Sequence, residues 1–163
     1  MIITIIGTPD SGKSEQAEAL CLELSGEGER LYIATMIPFG EEGRERVRRH
    51  RLRREGKGFL LTETPFDLPQ ILSDVQRPEK TTALLECVSN WVANEMFERG
   101  LKESILLETI QRELSALAEA FLHLVIVSNR FEKTGDPETD YYIEATEQVN
   151  RLLEQMSDRT IVL

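Results

Sequence analysis

An α/β fold with a mostly parallel sheet and helices on both faces is predicted by three features of the sequence. Apolar, β-branched runs of strand length recur along it; longer stretches of helical pattern separate them; no linker, internal repeat or low-complexity tract interrupts the alternation. Continuous apolar strands are expected where both faces of a sheet are covered. Strands alternating with helices imply parallel pairing through crossover connections. Residues 1–163 are accordingly expected to form a single domain, long enough to bury a real core.

Ile2-Ile3-Thr4-Ile5-Ile6 has the character of a buried first strand. Ser14 to Leu24 follows as a helix with Ala17, Leu20, Cys21 and Leu24 on one face, stopped by Gly26 and Gly28. Leu31 to Thr35 is the second strand, and Gly43 to Arg54 is helical in pattern. Phe59 to Thr62 is a third strand, Leu68 to Val75 a short helix, and Thr82 to Glu86 a fourth strand ending in an acid. Val88 to Gly100 and Ser104 to Ala120 are two helices parted near Gly100. Leu124 to Ser128 is a fifth strand, followed by a polar loop containing Thr134-Gly135-Asp136-Pro137. Thr139 to Met156 is the last helix and Thr160 to Leu163 the last strand.

Hydrophobic content of 40% and charged content of 29% are globular values. The formal net charge of -10 argues against general nucleic-acid binding. The positive charge is concentrated: Arg44, Arg46, Arg48, Arg49, Arg51, Arg53 and Arg54 crowd one short segment. A basic island on an acidic chain suggests a specific anion site. Cys21 and Cys87 belong to no C-x-x-C pair, which points to two reduced, mostly buried thiols. The apolar stretch Ile2 to Ile6 is too short for a signal-peptide core or a membrane span, so a cytoplasmic protein without a membrane segment is expected.

Gly7-Thr8-Pro9-Asp10-Ser11-Gly12-Lys13-Ser14 matches G-x-x-x-x-G-K-[ST] in full, after a strand and before a helix. In such a P-loop, backbone N–H groups and the helix N-terminus face the phosphates. Lys13 supplies a point charge to the β- and γ-phosphates, and the Ser14 hydroxyl is a Mg²⁺ ligand. A P-loop NTPase-like fold binding ATP or GTP with Mg²⁺ is therefore expected. Asp10 is unusual, because a carboxylate in an anion cradle must point away or meet a cation or substrate.

Glu86 closes an apolar strand, as a Walker B acid does, where it would face the same crevice and hold Mg²⁺ directly or through water. The alternative is an acid capping the helix that starts at Val88. His50 lies in the arginine segment, with Arg46, Val47, Arg53 and Arg54 on its helical face. Guanidinium neighbours disfavour imidazolium, so a neutral, nucleophilic imidazole is expected there near pH 7. A solvated basic helix and a nucleic-acid-binding helix are the alternatives. His123 precedes a core strand and is assigned a structural role.

Together these segments resemble the bifunctional adenosylcobinamide kinase / adenosylcobinamide-phosphate guanylyltransferase family of cobalamin biosynthesis. The resemblance begins at the P-loop and the following Ala17-Glu18-Ala19-Leu20, and continues through Tyr32-Ile33-Ala34-Thr35. It is most specific at Arg46-Val47-Arg48-Arg49-His50-Arg51, which looks like the family's segment carrying a guanylylated histidine. Glu63, the Glu86-Cys87 pair with Trp91 and Asn94, and Ser128-Asn129 match further family segments, and Asn150 a later one. Beyond about residue 130 the pattern diverges: Arg130 and Phe131 follow Asn129, and Asp136-Pro137-Glu138 keeps only Pro-Glu of a family motif.

The resemblance implies catalytic roles for Lys13 and His50. It implies nucleotide contacts from Gly7 to Ser14, from Ile33, Ala34 and Thr35, from Arg51, Leu52, Arg53 and Arg54, and from Glu63 and Glu86. It implies two steps: phosphorylation of adenosylcobinamide with ATP or GTP, then GMP transfer through a GMP-histidine to give adenosyl-GDP-cobinamide. Nucleotide and corrinoid small molecules would be its substrates, and a homo-oligomer, a trimer in the family, its assembly. A diverged kinase or a nucleotide-binding protein acting on another substrate, with no covalent intermediate, is the competing expectation.

Overall fold

The apolar runs pair side by side, and all the pairings are parallel. A computed structural model describes residues 1–37, 40–54 and 56–163, without the side chains of His50, Arg53 and Arg54. Its strands are β1 (Ile2–Gly7), β2 (Glu29–Ala34), β3 (Phe59–Glu63), β4 (Thr81–Glu86), β5 (His123–Asn129) and β6 (Arg159–Val162). Its α-helices are α1 (Lys13–Ser25), α2 (Gly40–Arg54), α3 (Val88–Ala93), α4 (Glu103–Ala120) and α5 (Pro137–Met156). The sheet order is β3-β2-β4-β5-β1-β6.

Period-two alternation sends successive strand residues to opposite faces. Leu84 of β4 joins Ile5, Tyr32, Val125 and Val127 against Ala17 and Cys21 of α1. Leu85 points the other way, with Leu31, Ile33, Leu124 and Ile126, against Trp91 of α3, Ile110, Leu114 and Leu117 of α4, and Val149 and Leu153 of α5. Helices therefore cover both faces, and the α1 stripe is the one expected from sequence. Among the described residues no helix is long and apolar enough to cross a membrane.

Of the segments that differ from the sequence expectation, two do so for visible reasons. The stretch from Val88 does not run to Gly100 as one α-helix: α3 ends at Ala93 and Asn94–Glu98 forms a π turn, with the Arg99 amide donating to the Asn94 carbonyl at 3.3 Å. The extra residue lets the buried Asn94 and Glu95 both turn inward. Asn94 Nδ2 then donates to the Thr35 carbonyl at 2.7 Å and the Pro65 carbonyl at 3.3 Å. The last helix starts at Pro137 because the Asp136 carboxylate accepts from the Thr139 amide at 2.9 Å, capping it with proline in the first turn. Those Thr139 hydrogen bonds also hold the Asp136 carboxyl below its ordinary pKa.

Parallel pairing brings all the strand carboxyl ends to one edge. Gly7 of β1 stands beside Asn129 of β5, and Ala34 of β2 stands between Glu63 of β3 and Glu86 of β4. His123 begins β5 at the opposite edge. Burial depresses its pKa first, and the N-terminal charge adds to the effect.

The central position of β4 makes a stability prediction. Leu85 is wholly buried, and Leu85→Ala should cost about 2–5 kcal/mol of unfolding free energy. Ile105→Ala, at a side chain 59% exposed on α4, should cost under about 0.5 kcal/mol. Urea unfolding of the two variants, followed by circular dichroism, measures the contrast.

Candidate active site

The glycine loop joins β1 to α1 at the carboxyl edge of the sheet, where parallel α/β folds place their ligand crevice. Gly12 caps α1 in the left-handed region, at φ 84°, a shape that favours glycine. Gly7 is constrained by proximity instead: a Cβ there would stand 2.5 Å from Ser11 Oγ. Asp10 also has positive φ, 62°, which orients the loop tip. Ser11 Oγ is buried and has no hydrogen-bond partner among the described residues.

Lys13 is nearly buried, and its Nζ donates to the Thr8 carbonyl at 3.1 Å, so the ammonium is folded over the loop. Ser14 Oγ donates to one oxygen of Glu86, and the Tyr32 hydroxyl donates to the other. One carboxylate thus ties α1, β2 and β4 together. Tyr32 was not assigned to the site from sequence. The available signal was its place two residues before Ala34, on the same sheet face, with a hydroxyl needing a partner inside an apolar strand.

Pro9, Asp10, Gly12, Lys13, Ser14 and Glu15 form one wall of a cavity of about 350 Å³. Met36, Arg46, Glu86, Cys87, Asn90, Val127 and Asn129 complete it. Arg46 reaches it from α2. A smaller pocket beside it is lined by Tyr32, Ala34, Met36, Val47, Glu63, Glu86, Cys87 and Asn90. Asn90 and Met36 border both spaces and carry no motif that marks them in the sequence.

The remaining expected site residues fall into separate groups. Ala34 and Glu63 line the smaller pocket, and Arg51 forms an ion pair with Glu63. Ile33 is wholly buried in the apolar core, so only its backbone is near the crevice. Thr35 is also buried: its hydroxyl donates to the Cys87 carbonyl at 2.9 Å and accepts from the Cys87 amide at 3.2 Å. Leu52 is 61% exposed on α2. The backbone of His50, Arg53 and Arg54 continues α2, while their side chains lie outside the described residues.

Behind the cavity, Asn129 Nδ2 donates to Ser89 Oγ at 2.7 Å and to Cys87 Sγ at 3.2 Å. Ser128 and Asn150 are both wholly buried and meet through Ser128 Oγ and Asn150 Oδ1 at 2.6 Å. The Ser128-Asn129 pair therefore links the crevice to α5, which explains why polar residues interrupt an otherwise apolar strand end.

The parallel sheet and its loop define the class: an α/β protein of P-loop NTPase-like fold. Two solved structures resemble it as folds. A unique ATP synthase subunit, NeqB, from Nanoarcheaum equitans superposes with a TM-score of 0.63 at 12% identity, over 99% of this chain and 46% of that one. The flagellar accessory protein FlaH from Methanocaldococcus jannaschii superposes with a TM-score of 0.54 at 16% identity, over 99% of this chain and 70% of that one. No curated protein matches the sequence. The chain belongs to the cobinamide kinase / cobinamide phosphate guanyltransferase family, whose model matches residues 3–163. The match runs through the terminal segment, where the motif-level departures lie.

Cys87 borders the cavity, and its thiol pKa is raised by burial, with a Ser89 hydrogen bond opposing the shift. Cys21, on the sheet-facing side of α1, is pushed from 9.0 to about 12 by burial, with Glu18 adding to it. Raised folded values mean that these thiols favour the native state below their unfolded pKa, and that this stability is lost as pH climbs toward the folded value. At about pH 8 both should be poor nucleophiles. A disulfide-exchange reagent should titrate neither in the native protein and both in denaturant; fast native labelling of either would contradict the packing.

Proposed function

We propose that this protein is the two-step transferase that its family name describes. It phosphorylates the aminopropanol hydroxyl of adenosylcobinamide with ATP or GTP. It then transfers GMP from GTP to the product through a covalent intermediate on His50, giving adenosyl-GDP-cobinamide. The observation that carries the reading is the meeting of Lys13 and Ser14 with an arginine of α2 across one cavity, in a chain of this family. The whole of residues 1–163 is taken as one catalytic unit, cytoplasmic and homo-oligomeric.

In the first step the acceptor oxygen bonds to the γ-phosphorus, and the bond to the β–γ bridging oxygen breaks. The electron pair leaves on the nucleoside diphosphate and the hydroxyl proton passes to solvent. Loop amides and Lys13 hold the phosphates, so catalysis is positioning and charge neutralisation. Ser14 and Glu86 offer a hydroxyl and a carboxylate oxygen side by side, hard donors suited to Mg²⁺. When bound, the ion supplies charge neutralisation at the phosphate oxygens. Among the described residues no group of three or more His, Cys, Asp or Glu residues is arranged for a metal.

In the second step an imidazole nitrogen of His50 bonds to the α-phosphorus of GTP, and pyrophosphate leaves with its electron pair. A phosphate oxygen of the acceptor then bonds to that phosphorus. The phosphorus–nitrogen bond breaks, its electrons return to the imidazole, and GMP is transferred. Covalent catalysis splits one difficult exchange into two easier ones.

Replacing Lys13 with Ala removes one charge-assisted contact, so Mg-nucleotide affinity should fall by about 10–100-fold with the fold intact. Calorimetric titration of the folded variant measures it, and unchanged affinity would refute the phosphate site.

Incubation with α-labelled GTP should leave label on the denatured chain that is lost in acid and kept in alkali, as a phosphoramidate requires. His50→Ala should abolish this label, and His123→Ala should leave it. Wild-type protein that binds GTP but takes up no label would exclude the covalent step.

A further inference from the structure

The guanidinium groups of α2 differ in what they face. Arg48 pairs with Glu45, and Arg51 pairs with Glu63 at the end of β3. Among the described residues, Arg44, Arg46 and Arg49 pair with no carboxylate. Of these three, Arg46 lines the cavity that holds Lys13 and Ser14, and the other two do not. Arg46 also lines a second cavity of about 370 Å³ that shares Met36 and Asn90 with the first and extends toward Ala93 and Asn94. Arg46 thus stands where the phosphate-loop cavity opens into an adjoining space.

That junction has a chemical meaning if a nucleotide lies on the loop. Lys13 and the loop amides would hold the terminal phosphate, and Arg46 lines the same cavity from α2. An acceptor large enough to need the adjoining cavity brings its hydroxyl to the phosphate past Arg46. A guanidinium is planar, permanently charged and forked, which suits the three equatorial oxygens of a phosphoryl group in transit. The ion pair of Arg51 with Glu63, and Val47 in the neighbouring pocket, hold α2 over the crevice.

We propose that Arg46 is a catalytic residue of phosphoryl transfer, its guanidinium contacting the γ-phosphoryl as it passes from the loop-bound nucleotide to an acceptor in the adjoining cavity. This rests on the nucleotide site proposed above. The bonds made and broken are those of the first step, and Arg46 stays protonated throughout. Because the charge it meets develops in the transition state, its contact should matter more to rate than to ground-state binding.

Trapping of Mg-ADP by aluminium fluoride, a mimic of the transferring phosphoryl, tests the proposal without any corrinoid. Wild-type protein should hold fluorescent ADP much longer when aluminium fluoride is present. Arg46→Ala should bind ADP within about threefold of wild type yet lose that retention, and Arg46→Lys, lacking the fork, should not restore it. Arg49→Ala, which lines neither cavity, should behave as wild type. In turnover, kcat should fall by about 10³-fold in Arg46→Ala with little change in nucleotide KM. Normal trapping in Arg46→Ala would overturn the role. So would a loss of ADP affinity as large as the loss of trapping, which would make Arg46 a ground-state clamp. A wild-type protein that binds no nucleotide sinks the nucleotide site, and this role with it. One that traps ADP normally but phosphorylates no corrinoid sinks only the acceptor assignment.

Discussion

The carboxylate of Glu86 is the contact on which the crevice depends. It accepts from Ser14 at the start of α1 and from Tyr32 in the middle of β2, while its own backbone lies in β4 between β2 and β5. A single strand end therefore fixes the angle at which the glycine loop leaves the sheet. Such an arrangement needs the parallel register that sets Ala34 beside Glu86, and it needs α1 packed flat on the face that Tyr32 and Leu84 share. A hydroxyl on each side satisfies both oxygens of a half-buried acid, which would otherwise be costly to withdraw from water.

The second constraint comes from α2. This helix is almost wholly polar and lacks the apolar face that would bind it to the sheet. Val47 meets the crevice, and the ion pair of Arg51 with Glu63 ties the helix to the end of β3. An exposed ion pair is worth about 0–1 kcal/mol, so this tether orients the helix more than it stabilises the domain. The result is a basic element held beside an acidic strand edge, where an anion would add the strongest remaining attraction. The acidic balance of the rest of the chain confines that attraction to the crevice.

Much of the fold was legible because the signals were local. Ile2 to Ile6 and Leu124 to Ser128 are apolar on both faces, and only a covered parallel strand needs that. The glycine loop was legible because its spacing carries a mechanism. The π turn at Asn94 was not, because it follows from where Thr35 and Pro65 place their carbonyls, two segments far away in sequence. The capped start of α5 at Pro137 was available in Asp136-Pro137 but was obscured by a polar loop that resembled turn chemistry throughout.

From its sequence alone the chain determined a run of buried strands, the helices between them and a loop shaped for phosphate, since each rests on residue types at short spacing. Local patterns also marked Glu86 as a candidate, leaving open whether it capped a helix or faced the loop. Tertiary structure decided that Glu86 turns to Ser14 and Tyr32, that Thr35 spends its hydroxyl on Cys87, and that Arg46 rather than Arg44 or Arg49 reaches the cavity with Lys13. Those outcomes depend on strand order, β2 and β4 being neighbours although α2 and β3 intervene in sequence. Non-local pairing is set by the joint burial of all the apolar faces, and no window of sequence contains it.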